Sequence, residues 1–445
     1  MIHDVALIGI GIVGQVALEE LSSSGLKIVV IDQIHTTPES HFLRDIDGDK
    51  SVWTIGSRVA GFPGGRLNWG KNCSFATIEG HPPLGNELQS RLPELNRRLR
   101  KYGFPKLHHV ELRKLRDDKF YVRESAEFSP SYWISKVESI GNIKLISGFA
   151  TKIVEDPNGH IKILARNSNH QVQEIYVKKV IICAGPFGTQ ELLANSELLP
   201  EITPRIWDHI SLSLPNISLG KIGLTKFGMF GWNRLKRINK KRCSTFYDGA
   251  NAILWTLRIF PEGVLNLNMA LTQLKRELRN GKLVFCMSLL CKLGVSMFTG
   301  KFLYQEIKIH ITADFLDQSN SMKSASYGEG RRIDFLEYPD KSIPVSKELE
   351  EFISRTISKL NLDFDGESHL TIGEKVELAE VTSSSHHMGT VWKVHENSIK
   401  SPLEISKNVF AAGSSIFQAS VPGHPTMLAA ASALVVADLV KSQLA

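Results

Sequence analysis

Val5-Ala-Leu-Ile-Gly-Ile-Gly-Ile-Val-Gly-Gln15 is the stretch whose reading decides the fold. Its apolar residues make a short buried strand that runs into Gly9, Gly11 and Gly14, with the helix pattern Val16, Ala17, Leu18, Leu21 behind them. Gly9 permits a tight turn, Gly11 lets a pyrophosphate approach the backbone, and Gly14 lets helix and strand pack closely. Lys27-Ile-Val-Val-Ile-Asp32 supplies the next parallel strand and ends in an acid spaced to accept from ribose hydroxyls. A lone glycine fingerprint is a weak signal. Strand, glycines, helix, strand and acid in register point to dinucleotide binding.

A second anchor lies near the other end of the chain. Val409-Phe-Ala-Ala-Gly-Ser-Ser-Ile416 is an apolar strand that stops at Gly413, followed by Ser420-Val-Pro-Gly-His-Pro-Thr-Met427 and an Ala-rich run to Leu439. Small residues at Gly413 and Ser414 let the backbone turn close to a ligand, and Pro425-Thr426 opens a helix whose N-terminus points back at it. Lys179-Val-Ile-Ile-Cys-Ala-Gly185 is a third buried strand, ending at Ala184-Gly185, with a helix beginning over Thr189 to Leu193. The expected α/β nucleotide domain is therefore discontinuous, assembled from the N-terminus, this strand and the C-terminal strand.

Other segments read as follows. Ser57 to Gly70 gathers four glycines, a proline and two aromatics, so the loop at Gly64, Gly65 and Asn68 suits close passage by a flat ring. Residues 86–102 look helical and basic, a solvated outer face. Lys144-Leu-Ile-Ser147, Thr151-Lys-Ile-Val154, the turn Asp156-Pro-Asn-Gly159, His160 to Leu164 and Glu174-Ile-Tyr-Val177 read as a small antiparallel meander. From about residue 200 to 375, strand-like Ala252–Phe260, Val264–Met269 and Ile307–Ala313, with helices near 271–299 and 346–360, suggest a mostly antiparallel α+β substrate domain. Domain boundaries are set at 1–200, 201–375 and 376–445, the last returning to the nucleotide domain.

At 445 residues the chain accommodates two joined domains, and 42% hydrophobic with 22% charged residues is an ordinary soluble composition. A net charge of +7 is modest for this length and reads as a generally basic surface. Five scattered cysteines without a CxxC pair argue against a disulfide framework and against a zinc site, so no metal is expected. The first apolar run is already the nucleotide-binding strand, which leaves no signal peptide to read and suggests a reducing cytoplasm. The basic run Arg234 to Arg242 comes without a nucleic-acid motif, and no nucleic acid is expected. Leu283 to Phe298 is apolar nearly all round but short for a transmembrane helix. It reads as a buried or substrate-covering helix, with peripheral membrane contact as the alternative.

Two histidine clusters sit where the chain returns to the nucleotide fold, Ser383-Ser-Ser-His-His-Met-Gly-Thr390 and Gly423-His424-Pro425-Thr426. Taking hydride from an alcohol carbon needs a base for the hydroxyl proton, and imidazole has a suitable pKa. It also needs a hydride-accepting ring, which no side chain offers. The N-terminal fingerprint with Asp32, Val180 to Leu193, Asp317-Gln-Ser-Asn320, His386-x-x-Gly389-Thr390 and Gly413 to Thr426 occur in the order found in one family. In these motifs the chain resembles the glucose-methanol-choline (GMC) oxidoreductases, FAD-dependent alcohol oxidases and dehydrogenases.

That resemblance implies a GMC-type FAD-binding domain with an antiparallel substrate domain. His386 matches the family's active-site histidine and His424 the second member of the pair. His387 is read as structural. The resemblance further implies FAD contacts at Gly9, Gly11, Gly14, Asp32, Gly64, Gly65, Asn68, Ala184, Gly185, Gly413, Ser414, Pro425 and Thr426. Some sugar-oxidising relatives place a flavin-linking histidine before a tryptophan; Asn68 precedes Trp69 here, which implies non-covalent FAD. The expected activity is oxidation of a CH–OH group, with a sugar or polyol favoured and oxygen or a quinone-like acceptor reoxidising the flavin. An NAD-dependent dehydrogenase and a lipid or sterol alcohol oxidase at a membrane surface are the alternatives.

Overall fold

The computed structural model describes residues 2–32, 42–43, 47–48, 59–60, 72–78, 90–108, 110–112, 121–127, 141–156, 158–167, 171–198, 205–207, 209–213, 242–248, 253–262, 274, 278, 281, 283–288, 290–291, 306–315, 322–327, 332–337, 342–344, 347–359, 375–377, 381–383, 388–389, 403–417, 421 and 424–445. Strands of the principal sheet are β1 (Ile2–Ile8), β2 (Ile28–Asp32), β3 (Ile143–Ser147), β4 (Phe149–Glu155), β5 (Ile161–Arg166), β6 (Val172–Ile182), β7 (Glu404–Ser406) and β8 (Val409–Ala411). Five of them, in the order β3-β2-β1-β6-β8, are parallel. Val5 to Ile8, Ile28 to Ile31, Val180 to Ile182 and Val409 to Ala411 are buried almost completely, as continuous apolar runs must be when both sheet faces are covered.

β6 is a single strand of 11 residues with two kinds of neighbour on one edge. Its first half pairs antiparallel with β5, which pairs with β4; its second half pairs parallel with β8. The expected meander is thus β4-β5-β6. Lys144 to Ser147 does not belong to it: β3 pairs in parallel with β2 and is the outermost strand of the parallel array. Alternating apolar residues cannot distinguish a parallel edge strand from a hairpin strand. The choice is made by contacts with the Leu26–Ile28 segment, where Ile28 N–H donates to Asn142 O at 2.9 Å and Asn142 Nδ2 donates to Leu26 O at 2.8 Å.

Four helices attend this sheet: α1 (Ile12–Ser22), α2 (Leu92–Leu99), α3 (Gly185–Asn195) and α4 (Thr426–Leu444). α3 begins four residues earlier than the sequence suggests, because Pro186 sits in its first turn, where a missing N–H costs nothing. α4 is long and apolar enough to cross a membrane, with mean hydropathy 1.5, yet it is a core helix, 67% buried and packed along α1.

A separate antiparallel sheet runs, by residue range, 381–383, 209–213, 306–315, 253–262, 242–248, 121–127 and 72–74. It takes its last two strands from the first third of the chain. Trp255 is fully buried in it, and the helix Lys347–Lys359 packs on strand Arg242–Asp248 with Phe352 stacked on Phe246 at 5.4 Å. Of the expected elements, Val264–Met269 and residues 86–89 lie outside the described residues.

The basic helix is more than the solvated face expected of it. Arg98 of α2 grips Asp438 of α4 through both carboxylate oxygens, at 2.5 and 2.9 Å, and lies 3.0 Å from Glu20 of α1. Lys441 reaches the same Glu20 at 2.8 Å, and the Tyr102 hydroxyl donates to it as well. Burial alone would raise the Glu20 pKa, but hydrogen bonds from Lys441 and Tyr102 and the Arg98 charge outweigh it and hold it at about 2. A carboxylate depressed in this way stabilises the fold above its unfolded pKa, about 4.3, and that stability is lost as pH falls through the folded value. Thermal scans of wild type and Glu20→Gln are expected to diverge at neutral pH, with wild type melting higher, and to converge between about pH 4.3 and about pH 2. Parallel curves across that window would exclude Glu20 as the source.

Candidate active site

The parallel strands end in one row. Ile8 is in register with both Ile31 and Ile182, and Ile182 with Ala411. Backbone bonds continue the row past the strand ends: Gly9 N–H to Ile31 O at 3.0 Å, Cys183 N–H to Ile8 O at 2.7 Å, and Ala412 N–H to Ile182 O at 2.9 Å. The residues that follow, Gly9 to Gly11, Asp32, Cys183 to Gly185 and Ala412 to Gly413, therefore lie side by side at the carboxyl edge, where open α/β sheets bind their ligands.

Close packing explains the glycines. Gly9 has φ 91°, and a Cβ on it would come within 2.6 Å of Cys183 O. A Cβ on Gly14 would lie 2.0 Å from Gly9 O, so α1 can lean on the strand end only without a side chain there. Gly11 differs: its φ is −61°, and a Cβ would meet nothing within 4 Å. It faces open space at the N-terminus of α1, where no side chain caps the first turn. Asp32 is positioned beside this turn, its Oδ2 accepting Ile10 N–H at 2.6 Å. Unclaimed helix N–H groups, an open glycine and an adjacent carboxylate suit a pyrophosphate and a ribose.

The second anchor meets the first. Gly413, at φ 99°, donates its N–H to Ser432 Oγ of α4 at 2.8 Å, and that hydroxyl donates to Ala429 O at 2.6 Å. A Cβ built on Gly413 would stand 3.5 Å from both methyl groups of Val13 in the first turn of α1. A 3-10 turn over Ser414–Ile416 follows and packs against α3. Gly185 opens α3 with φ 70° and, like Gly11, with free space where a Cβ would be. Ala184, its N-cap, abuts Gly9. Pro425 caps α4, Thr426 is its first residue, and His424 just before them is buried.

Three polar side chains here escaped the sequence reading. Gln15, Thr189 and Ser415 are buried, and Gln15 Nε2, Thr189 Oγ1 and Ser415 Oγ have no hydrogen-bond partner among the described residues. They lie on α1, α3 and the 3-10 turn, the three elements that surround the glycine anchors. Buried polar atoms are normally satisfied, so each of these three is suited to a polar partner that the described residues do not supply. Residue type and spacing carry no signal for it, since each occupies an ordinary position in its own element. Cys183, by contrast, is only packing: burial pushes its thiol up to about 12, and it stays neutral.

Gly64, Gly65, Asn68 and His386 lie outside the described residues, as does Asp317-Gln-Ser-Asn320. Gly389, three residues after His386 in sequence, is described. It pairs with Ile206 and its strand, Met388–Gly389, packs against the Ser414–Ile416 turn. No groups of three or more His, Cys, Asp or Glu able to hold a metal occur among the described residues.

No family profile and no curated protein matches this sequence. Among solved structures, the crystal structure of pyridoxine 4-oxidase from Mesorbium loti is similar over 98% of this chain and 99% of that chain, with a TM-score of 0.50 and 12% identity. At that identity the likeness shows the fold alone, a mixed α/β architecture on a parallel-dominated sheet.

The glycine geometry separates folding from binding. Gly14→Ala forces a backbone clash and is expected to cost about 1–3 kcal/mol or more, lowering the melting temperature of the ligand-free protein. Gly11→Ala introduces a methyl group into open space and is expected to leave that temperature unchanged within about 1 °C. Differential scanning fluorimetry of both variants checks the contrast, and equal losses would contradict it.

Proposed function

We propose that this chain is an FAD-dependent oxidoreductase that oxidises a CH–OH group to a carbonyl. The observation that carries the reading is the meeting of the two anchors: Gly9 to Gly14 with Asp32 from one end of the chain, and the Gly413 turn from the other, joined through Val13 at one sheet edge. A dinucleotide site alone needs only the first. The second is what a larger cofactor with a further ring system requires, and the GMC-type fold supports the same choice.

In this reading the Gly11 backbone and the first turn of α1 hold the pyrophosphate, and Asp32 holds the adenine ribose. Gln15, Thr189 and Ser415 supply further polar partners to the cofactor. Ala184, Gly185, Gly413, Ser414, Pro425 and Thr426 line the approach, with Gly64, Gly65 and Asn68 proposed against the ring system. Bound FAD supplies the hydride acceptor. His386 takes the hydroxyl proton as hydride leaves the carbinol carbon, and His424 holds the same oxygen, so the alcohol loses two electrons and two protons in all. The binding is non-covalent, the substrate class is a sugar or polyol, and a reducing cytoplasm is the proposed compartment.

The test is the visible spectrum of the purified protein and of the supernatant after acid precipitation, followed by anaerobic addition of sugar, polyol, lipid alcohol and pyridoxine. Released yellow flavin, bleached in the intact protein by sugars or polyols, is the expected result. Bleaching only by another class would reassign the substrate, and a protein that stays colourless after incubation with FAD would sink the reading and turn attention to NAD. His386→Ala and His424→Ala are each expected to keep the flavin and slow its anaerobic bleaching about 10²–10⁴-fold. Gly11→Ala is expected to lose the flavin while remaining folded.

A further inference from the structure

The segment at 283–291 does not behave as a core helix. Residues 283–288 and 290–291 are helical, yet Leu283, Val284, Met287 and Leu290 are 65%, 85%, 67% and 51% exposed, and Phe285 is exposed as well. Only Cys286 is buried among the helical residues described there, its Sγ lying 3.9 Å from Leu274 O. At 100° per residue, the exposed positions from Leu290 round to Phe285 cover an arc of about 220°.

That arc decides between occupants. A groove on a partner protein, or the matching helix of a second copy, covers an apolar stripe of about 100°. A lipid phase covers every side that faces away from the protein. The run free of charged residues, apolar except for Ser288, ends at Lys292 and is about 14 Å long as a helix, against about 30 Å of hydrocarbon, so it can lie in a membrane interface but not span one. Its sequence flanks carry cations: Lys275, Arg276, Arg279, Lys282, Lys292 and Lys301 stand against the single acid Glu277 in residues 271–301. Apolar side chains in the acyl boundary with cations at the headgroup level are complementary to an anionic bilayer.

We infer that the 283–291 helix is a monotopic foot that seats the protein on the surface of a membrane rich in anionic lipid. The inference does not depend on the flavin reading. Insertion is driven by burial of Leu283, Val284, Phe285, Met287 and Leu290, and the charges select the lipid.

Co-sedimentation of the full-length protein with sucrose-loaded vesicles tests it. One set is phosphatidylcholine alone; the other contains phosphatidylserine at about a third of the lipid, a strongly anionic surface. The anionic vesicles are expected to bind at least tenfold more protein, with binding weakened by high salt. A Val284→Asp, Met287→Asp double variant is expected to lose at least tenfold in vesicle affinity with an unchanged melting temperature, since both side chains already face solvent. Failure to sediment with either vesicle, or sedimentation indifferent to the double variant, would overturn the inference. So would a dimer, seen by analytical ultracentrifugation without lipid, that the same variant dissociates, because the face would then belong to a second copy.

Discussion

Backbone packed against backbone at the end of the first strand sets the geometry of the half built on the parallel sheet. Gly14 passes so close to the Gly9 carbonyl that a single methyl group would stand 2.0 Å from it, and Gly9 is in turn pressed against the Cys183 carbonyl. These two approaches aim α1 along the sheet with its N-terminus over the strand ends. They also hold the Ile10 amide where Asp32 can accept from it. A larger residue at either place would tilt the helix and separate groups that are useful only side by side.

Holding α1 in that position takes contributions from distant parts of the chain. α4 lies along it, fixed at one end by Gly413, Ser432 and Val13 and at the other by the charge cluster of Glu20, Arg98, Asp438 and Lys441. An arginine shared between two carboxylates on two helices, with a lysine and a tyrosine satisfying the remaining oxygens, leaves little unpaired charge in a partly buried place. The apolar surface of α4 finds cover here. The apolar helix at 283–291 is covered, among its described residues, only at Cys286, and that contrast gives the exposed helix its meaning.

Much of the first anchor was legible because its information is local. A run of buried β-formers, three glycines at fixed spacing and an acid at the end of the next strand are each adjacent in sequence to what they act on, and the strands over Val5 to Ile8, Ile28 to Asp32, Lys179 to Ile182 and Val409 to Ala411 occur as read. Misreadings arose where a residue's partner is remote. Lys144 to Ser147 has the texture of a meander strand and pairs instead with a strand more than 100 positions earlier. Arg98 reads as a solvent cation until α4 brings Asp438 to it. Gln15, Thr189 and Ser415 could not be foreseen, since nothing in their own segments marks them as buried without partners.

By itself, then, the sequence determined the α/β class, the parallel strands and the glycine turns at their ends, because strand periodicity, glycine conformation and helix capping act over a few residues. Tertiary structure alone decided that β3 extends the parallel array, that α2 clamps α1 to α4, that the Gly413 turn rests on Val13, and that the helix at 283–291 faces outward. Each of these is a choice of partner across a long stretch of chain. Such choices are made by which apolar faces and which buried charges can be satisfied together, a condition on the whole molecule that no single segment carries.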